Sequence, residues 1–434
     1  MLFNNFELED LYNSYEKVYS FSFSTACLNP LSINQLLSLY EEKDQEFLLK
    51  DLLNLELDYS SKYGLEEFYS ALENIYNPQE DGNTKLGTAR KHRRVAERTS
   101  LRLGQYPNLK FLSTSGAAEA IILLFSSLFV AGDTLLVQKP IYPSLYEIPE
   151  GLGCRVIDWD FKWAEDFKLN LESLKKIIKE NPEVKALVIN NPNNPCGYCF
   201  NESELKELIN ILNGRYLIAD EVFRDICLKP IPAVANLYEK GISISDVSKS
   251  YGLQGLRVGW IATQDEKIIK KCLSQKSYFS LRTSILSEKI AALALNKREI
   301  LLENSKILIK RGLDKIYENS YSIKLTKTSL DTGACEQPLK DLLGEASVNL
   351  PQDHFGGLCM LAKLNSCSKN NLKSLTSDKP SSFANKNAEN EDYEQSRVED
   401  FFQELIEQGI FILPGKVFGI EYSEYFRLSV LRIP

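Results

Sequence analysis

From about residue 105 to 265 the chain repeats one pattern: a short apolar run, a polar break, then a helix-length stretch with apolar positions at helical spacing. The runs are LKFLST (109–114), DTLLVQ (133–138), KALVIN (185–190), RYLIAD (215–220) and VGWIAT (258–263). Strands written as near-continuous Val, Ile and Leu are buried on both faces, and helix-length connections between them predict parallel neighbours. The expected fold class is α/β, a three-layer and mostly parallel sheet whose ligands bind beyond the carboxyl ends of its strands. A helical stretch over about 265–318 follows, and the rest is less regular. The expected organisation is an N-terminal segment (1–50) packing with a smaller α+β domain (301–434), and a large ligand-binding domain (51–300).

Two segments interrupt this pattern. KLGTARKHRRVAERTSLRLG (85–104) holds seven Lys or Arg against one Glu, and it reads as a solvated basic insertion over about 80–104. No aromatic side chains interleave it, which removes the stacking a nucleic-acid patch uses. SCSKNNLKSLTSDKPSSFANKNAENEDYEQ (366–395) is almost free of apolar side chains and is expected to be a flexible insertion.

With 434 residues, 44% of them apolar, the chain can bury a large core. A net charge of -8 argues against whole-protein attraction to nucleic acid or an anionic membrane, and favours a small soluble ligand. Nine irregularly spaced cysteines read as reduced thiols. The start, MLFNNFELEDLYNSYE, lacks the basic and apolar blocks of a signal peptide, and AIILLFSSLFVA (120–131) is too short to span a bilayer, so a cytoplasmic protein is expected.

The chemistry begins at SDVSKSYGLQGLRVGW (245–260), where a lone Lys249 stands between two serines and Arg257 follows a glycine-flanked turn. A lysine desolvated enough to be nucleophilic can form a Schiff base with an aldehyde such as pyridoxal phosphate. That idea demands a phosphate cup, a carboxylate for a pyridinium nitrogen, a ring to stack, and a donor for a phenolic oxygen. STSGAAEAIILL (113–124) puts the N–H groups of Gly116, Ala117 and Ala118 at a helix start, where an anion is favoured. Arg257 offers a planar fork to the same phosphate. LIADEVF (217–223) ends a strand in Asp220, NNPNNPCG (190–197) aims an Asn into the strand-end crevice, and KPIYPSLY (139–146) holds Tyr142 in a constrained turn. Each signal alone is more often packing or capping; their order on one alternating pattern is what carries the reading.

These motifs together resemble the fold-type I pyridoxal-phosphate enzymes of the class I/II aminotransferase family, over nearly all the chain except the two insertions. The resemblance implies an aspartate aminotransferase-like large domain and pyridoxal 5'-phosphate as cofactor. It implies Lys249 as the Schiff-base lysine and general base, Asp220 beside the ring nitrogen, Asn194 on the phenolic oxygen and Tyr142 stacked on the ring. Gly116, Ala117, Ser248 and Arg257 would hold the phosphate. LDYSSKYG (57–64) matches the segment whose tyrosine reaches the neighbouring subunit's phosphate, which implies a homodimer with Tyr59 as a cross-dimer ligand. ILPGKVFG followed by YFRLSV matches the segment whose arginine, here Arg427, grips the substrate α-carboxylate. Amino acid and 2-oxo acid substrates are implied in turn.

Three departures stand out. Phe223 replaces a tyrosine three residues after the ring aspartate, so one donor to the phenolic oxygen is missing and the Schiff base is expected to titrate higher. Asp246 replaces a phosphate-binding serine three residues before Lys249; a carboxylate repels a phosphate, so Asp246 is expected to turn away and leave Ser248 to act alone. The chain stops seven residues after Arg427, so a shortened C-terminal helix is expected. A narrower likeness, in FELEDLYNSYE, PLSINQLLSL, SLYEIPEGLG and the lysine segment, is to the capreomycidine synthase-like branch. It implies that the N-terminal segment lies near the site, with Glu7 or Glu9 as substrate contacts against the plainer reading of a solvated helix start.

Cys196-x-x-Cys199 has no second cysteine pair, and with His92 and His354 as the only histidines it falls short of a zinc set, so no metal is expected. So few histidines also disfavour a Ser-His-Asp set. Three functions were distinguishable: an aminotransferase, a lyase or cyclase using the same cofactor on a modified amino acid, and a cofactor-binding transcription regulator. The last needs a winged-helix segment, for which the first 50 residues are too short and acidic. The aminotransferase reading leads, and sequence does not settle it against the cyclase.

Overall fold

The computed structural model describes residues 5–15, 21–22, 24–77, 109–160, 169–321, 346–347, 355–364, 406, 410–420 and 425–431. Both insertions lie outside the described residues, as do His92 and His354.

A seven-stranded sheet forms the centre, in the spatial order Lys110–Thr114, Gly259–Thr263, Gly241–Asp246, Tyr216–Asp220, Val184–Asn190, Thr134–Lys139, Arg155–Asp160. Every neighbouring pair is parallel except those made by Gly259–Thr263, which runs antiparallel to both of its neighbours. The five strands expected from apolar runs are all present within a residue of their expected limits. Two more were missed. RVIDWD (155–160) sits at the sheet edge with alternating exposed charges, and GISISD (241–246) is fully buried but alternates Ile with Ser, so neither reads as an apolar run.

Alternation along the strands produces the three layers. Leu135 and Val137 face one core while Leu136 faces the other; Ala186 and Val188 oppose Leu187 and Ile189; Ile218 opposes Leu217 and Ala219. A strand whose successive side chains enter two different cores must be covered on both faces, and helices Ala117–Leu128 and Glu202–Leu212 supply part of that cover.

A small antiparallel sheet combines Leu413–Pro414, Tyr425–Ser429, Cys359–Leu364 and Ala346–Ser347. The N-terminal residues divide between the two regions. Helix Glu7–Tyr15 lays Leu8, Leu11 and Tyr12 on Phe411, Leu413, Val417 and Phe418, and Phe21–Ser22 pairs in parallel with Ile410–Phe411. Leu36, Leu37 and Tyr40 instead join the main core, where the Tyr40 hydroxyl donates to the Leu293 carbonyl at 2.8 Å. The first helix and strand thus pack with C-terminal elements, and helix Ile33–Leu37 packs in the main core.

Candidate active site

The candidate residues gather at the carboxyl edge of the large sheet. Strand Gly241–Asp246 ends at Asp246, and one residue later the four-residue helix Ser248–Tyr251 begins, presenting Lys249. The Ser250 hydroxyl donates to the Val222 carbonyl at 2.7 Å, which fixes the lysine turn against the loop after Asp220. The Lys249 amine is half-buried and lies 3.1 Å from the Cys27 sulfur. Burial disfavours its charge, but Cys27, Asp246 and Tyr142 outweigh that and hold its pKa above the usual lysine range.

Asp220 ends strand Tyr216–Asp220 and is 4% exposed. Its carboxylate accepts the Val222 N–H at 3.1 Å. Burial pushes its pKa up to about 7, with Asp246 and Glu221 adding to the rise and Lys249 opposing it. A buried carboxylate with this little compensation suits a cationic N–H partner.

The turn after Val184–Asn190 is built from its own asparagines. Asn190 takes the Asn194 N–H on its side-chain oxygen at 2.6 Å, and Asn193 donates from Nδ2 to the Pro140 carbonyl at 2.9 Å. Asn194 is thereby held with its Oδ1 accepting from Arg427 Nη1 at 2.9 Å. Arg427 comes from the small sheet, where Tyr425–Ser429 pairs it with Leu361 and Leu413, and it is 2% exposed. Its guanidinium lies over the Phe418 ring, 5.1 Å from the centroid. Tyr142 is half-buried, packed edge-on to Phe6 at 5.9 Å, and burial raises its phenol pKa.

At the other end of the site, Gly116 caps helix Ala117–Leu128 with φ 82°. A Cβ there would stand 2.5 Å from Arg257 Nη2, so the guanidinium is seated directly over the helix N-terminus. Gly259 permits the close approach from below, since a Cβ on it would meet the Ala117 nitrogen at 2.8 Å. Arg257 and Ala118 are exposed, so the cup opens outward. Its donors can take a phosphate.

Asp246 does not turn away as expected. It is 4% exposed, and its carboxylate accepts the Ser248 N–H and hydroxyl, each at 2.9 Å, and the Ala117 N–H at 3.5 Å. Ser248 therefore acts together with Asp246. A carboxylate two residues before a serine is satisfied locally by an Asx-type turn, which offsets its repulsion of a phosphate.

Other expected residues fall elsewhere. Tyr59 is 72% exposed and outside its own protomer's cluster. Glu7 and Glu9 are exposed on helix Glu7–Tyr15, Glu7 lying 3.9 Å from Lys416. Phe223 is buried against the site wall near Gly357. Cys196 donates to Asn193 Oδ1 at 2.8 Å, and Cys199 lies 3.6 Å from Cys227 as a thiol pair. Among the described residues no cluster of three or more His, Cys, Asp or Glu could hold a metal ion. Sequence reading missed Tyr12, Ser24 and Cys27, which no motif marks: the Tyr12 hydroxyl and the Ser24 carbonyl both accept from Arg427 Nη2.

A lysine, a strand-end carboxylate, an asparagine and a glycine-capped helix start, arranged on a doubly covered and mostly parallel sheet, have the charges and donors that pyridoxal phosphate needs. The model of the family Aminotransferase class I and II matches residues 78–325, and the chain belongs to that family. The match includes Gly116, Asn194, Asp220, Lys249 and Arg257 but not Tyr59 or Arg427. The chain is 28% identical over 221 residues to capreomycidine synthase of Streptomyces vinaceus, covering 50% of this chain and 55% of that one. It is 31% identical over 217 residues to tyrosine aminotransferase of Dictyostelium discoideum, covering 48% and 50%. It thus spans about half the length of these curated relatives. In fold it resembles a PLP-dependent aminotransferase from Streptococcus suis 89-1591, with a TM-score of 0.73 and 23% identity over 99% of this chain and 94% of that one. It also resembles the PLP-dependent cyclase OrfR, with a TM-score of 0.69 and 21% identity over 98% and 91%.

Family membership implies pyridoxal phosphate as the cofactor, and the residues fit it. The cup that a Cβ at Gly116 would fill is lined by donors suited to a phosphate, and the buried Asp220 suits a cationic ring nitrogen.

Proposed function

We propose that this chain is a pyridoxal-phosphate-dependent aminotransferase that moves an amino group between an amino acid and a 2-oxo acid. The observation that carries the reading is the 2.9 Å bond from Arg427 to Asn194, which joins a carboxylate-gripping guanidinium to the strand-end turn beside Lys249 and Asp220.

When bound, the cofactor supplies an electron sink for a substrate carbon that has lost its proton. The chain's residues do the rest. Lys249 would hold the cofactor's aldehyde and would be the base that takes and returns the substrate α-proton. Asp220 would keep a proton on the ring nitrogen. Asn194, its Oδ1 on Arg427, would offer Nδ2 to the phenolic oxygen, and Tyr142 would flank the ring. The N–H groups at Gly116, Ala117 and Ala118, with Ser248 and Arg257, hold the phosphate. Arg427 binds the α-carboxylate through its planar fork.

A homodimer belongs to the reading. Leu53, Leu57 and Tyr59 are 76%, 79% and 72% exposed, and Tyr278 and Phe279 are 87% and 57% exposed. The two groups are brought together by the Ser60 hydroxyl donating to the Thr283 carbonyl at 3.3 Å. A second copy covering this face would bring Tyr59 to its neighbour's phosphate cup. A reducing, cytoplasmic setting also belongs to it: the seven cysteines of the described residues form no disulfide with one another, and no helix among those residues is long and apolar enough to cross a membrane.

A second reading, elimination and ring closure on a modified amino acid, is favoured by the similarity to capreomycidine synthase and by Phe223 in place of a tyrosine donor. One experiment separates the two. The purified protein is incubated with a panel of amino acids, hydroxylated arginine included, while pyridoxamine phosphate, ammonia and cyclised products are followed. Transamination yields pyridoxamine phosphate; ammonia or a ring-closed product instead of it would reverse the ranking. Lys249→Ala should abolish turnover and borohydride trapping of the cofactor, and retained activity would refute both readings.

A further inference from the structure

The Arg427 guanidinium is already engaged by the chain's own N-terminal residues. Nη1 donates to Asn194 Oδ1 at 2.9 Å, while Nη2 donates to the Tyr12 hydroxyl oxygen at 2.7 Å and to the Ser24 carbonyl. The Tyr12 hydroxyl in turn donates to the Ser24 carbonyl at 2.7 Å. Nε is buried and has no partner among the described residues.

This distribution bears on how a carboxylate can dock. A guanidinium grips a carboxylate bidentately in two ways: end-on through Nη1 and Nη2, or side-on through Nε and the Nη on its own side, which is Nη2. Both modes need Nη2, and both Nη2 hydrogens are spent on Tyr12 and Ser24. The orphaned Nε is the remaining half of the side-on fork. A buried donor without a partner is costly, and a carboxylate arriving side-on would satisfy it. Of the two groups on Nη2, the Ser24 carbonyl is backbone, whereas the Tyr12 phenol belongs to a short helix held by packing on Phe411 and its neighbours.

We propose that Tyr12 is a positioning residue of the substrate site, its phenol oxygen filling the place of a substrate carboxylate oxygen on Arg427 until the substrate displaces it. The inference rests on the proposed role of Arg427. Tyr12 then keeps the guanidinium solvated by protein and aimed at the site, and every substrate must compete with it. It lowers apparent affinity for all carboxylates alike and leaves side-chain selection to other walls.

The test uses the holoenzyme and three unreactive carboxylates: acetate, maleate and 3-phenylpropanoate. Binding is measured for wild type, Tyr12→Phe and Arg427→Ala, and amide exchange is followed over residues 6–15. Tyr12→Phe keeps the ring contact with Phe411 and removes the competing oxygen. It should bind about tenfold more tightly the carboxylates that wild type binds, the effect of one hydrogen bond to a charged group, with KM for amino acid substrate falling and kcat retained. In wild type, carboxylate should speed amide exchange in helix Glu7–Tyr15. Equal or weaker binding by Tyr12→Phe, or slower exchange in the helix, overturns the proposal while leaving Arg427 as the carboxylate site. Binding that Arg427→Ala leaves unchanged overturns the substrate-site assignment and this inference with it.

Discussion

The Lys249 amine and the Cys27 sulfur are 3.1 Å apart, although 222 residues separate them in the chain. Cys27 thus touches the amine proposed to bond the cofactor, and it is the leading cause holding that amine protonated against burial. The neutral amine is the reactive form, so Cys27 slows loading at neutral pH. Cys27→Ala should lower the pH midpoint of pyridoxal-phosphate uptake, measured by borohydride trapping against pH. A midpoint that stays put or rises would show that other groups set the lysine's charge.

Asp220 carries a different pH signature. Its folded pKa of about 7 lies above the ordinary aspartate value, so its stabilising contribution is full below about pH 4 and is lost as pH rises through 7. Glu221 behaves alike, also raised to about 7, chiefly by burial. The apoprotein should therefore melt at lower temperature at pH 8 than at pH 5. Adding pyridoxal phosphate supplies a counter-charge to Asp220, so the gain in melting temperature on loading should be larger at pH 8. Asp220→Ala should retain bound cofactor and lose activity. Breaking a buried charge pair costs about 3–5 kcal/mol, roughly 10²–10⁴ in rate.

Gly116→Ala tests the phosphate cup. The new methyl would stand 2.5 Å from Arg257 Nη2 at a backbone φ of 82°. Strain of about 1–3 kcal/mol in that region predicts roughly 5–150-fold weaker binding of pyridoxal phosphate. Pyridoxal, which lacks the phosphate, should lose much less, and an equal loss for both would place the phosphate elsewhere.

Asp246→Asn tests the carboxylate in the cup. The amide oxygen keeps the Ser248 N–H, the amide nitrogen takes the place of the oxygen that faces the Ser248 hydroxyl and the Ala117 N–H, and the negative charge disappears, so pyridoxal phosphate should bind about tenfold more tightly, a gain of ~1.4 kcal/mol. Weaker binding would mean that the charge serves to orient Ser248 and not merely to occupy its donors.

What the sequence made legible was whatever is local. Asp220 and Asn194 each stand at or just beyond the end of a buried apolar strand, so the apolar-run pattern locates both, whereas Lys249 was legible as a lone lysine between two serines. Gly116 followed the same logic through its helix start. Strand Gly241–Asp246, which leads to the lysine itself, was hidden because its Ser residues are buried with its Ile residues, and apolarity alone does not register a buried serine that finds a partner. The contacts of Tyr12 with Arg427 span 415 residues and depend on a nine-residue helix docking on the small sheet. Nothing in the spacing of either residue encodes that meeting.

In the roles proposed for them, the bond from Arg427 to Asn194 couples recognition to reactivity in evolution as well as in catalysis. A lineage that moved the guanidinium to suit a new substrate would also release the amide that steadies the ring oxygen, and would lose rate along with its old specificity. Diversification around such a site has to proceed through residues that bond neither member of this pair.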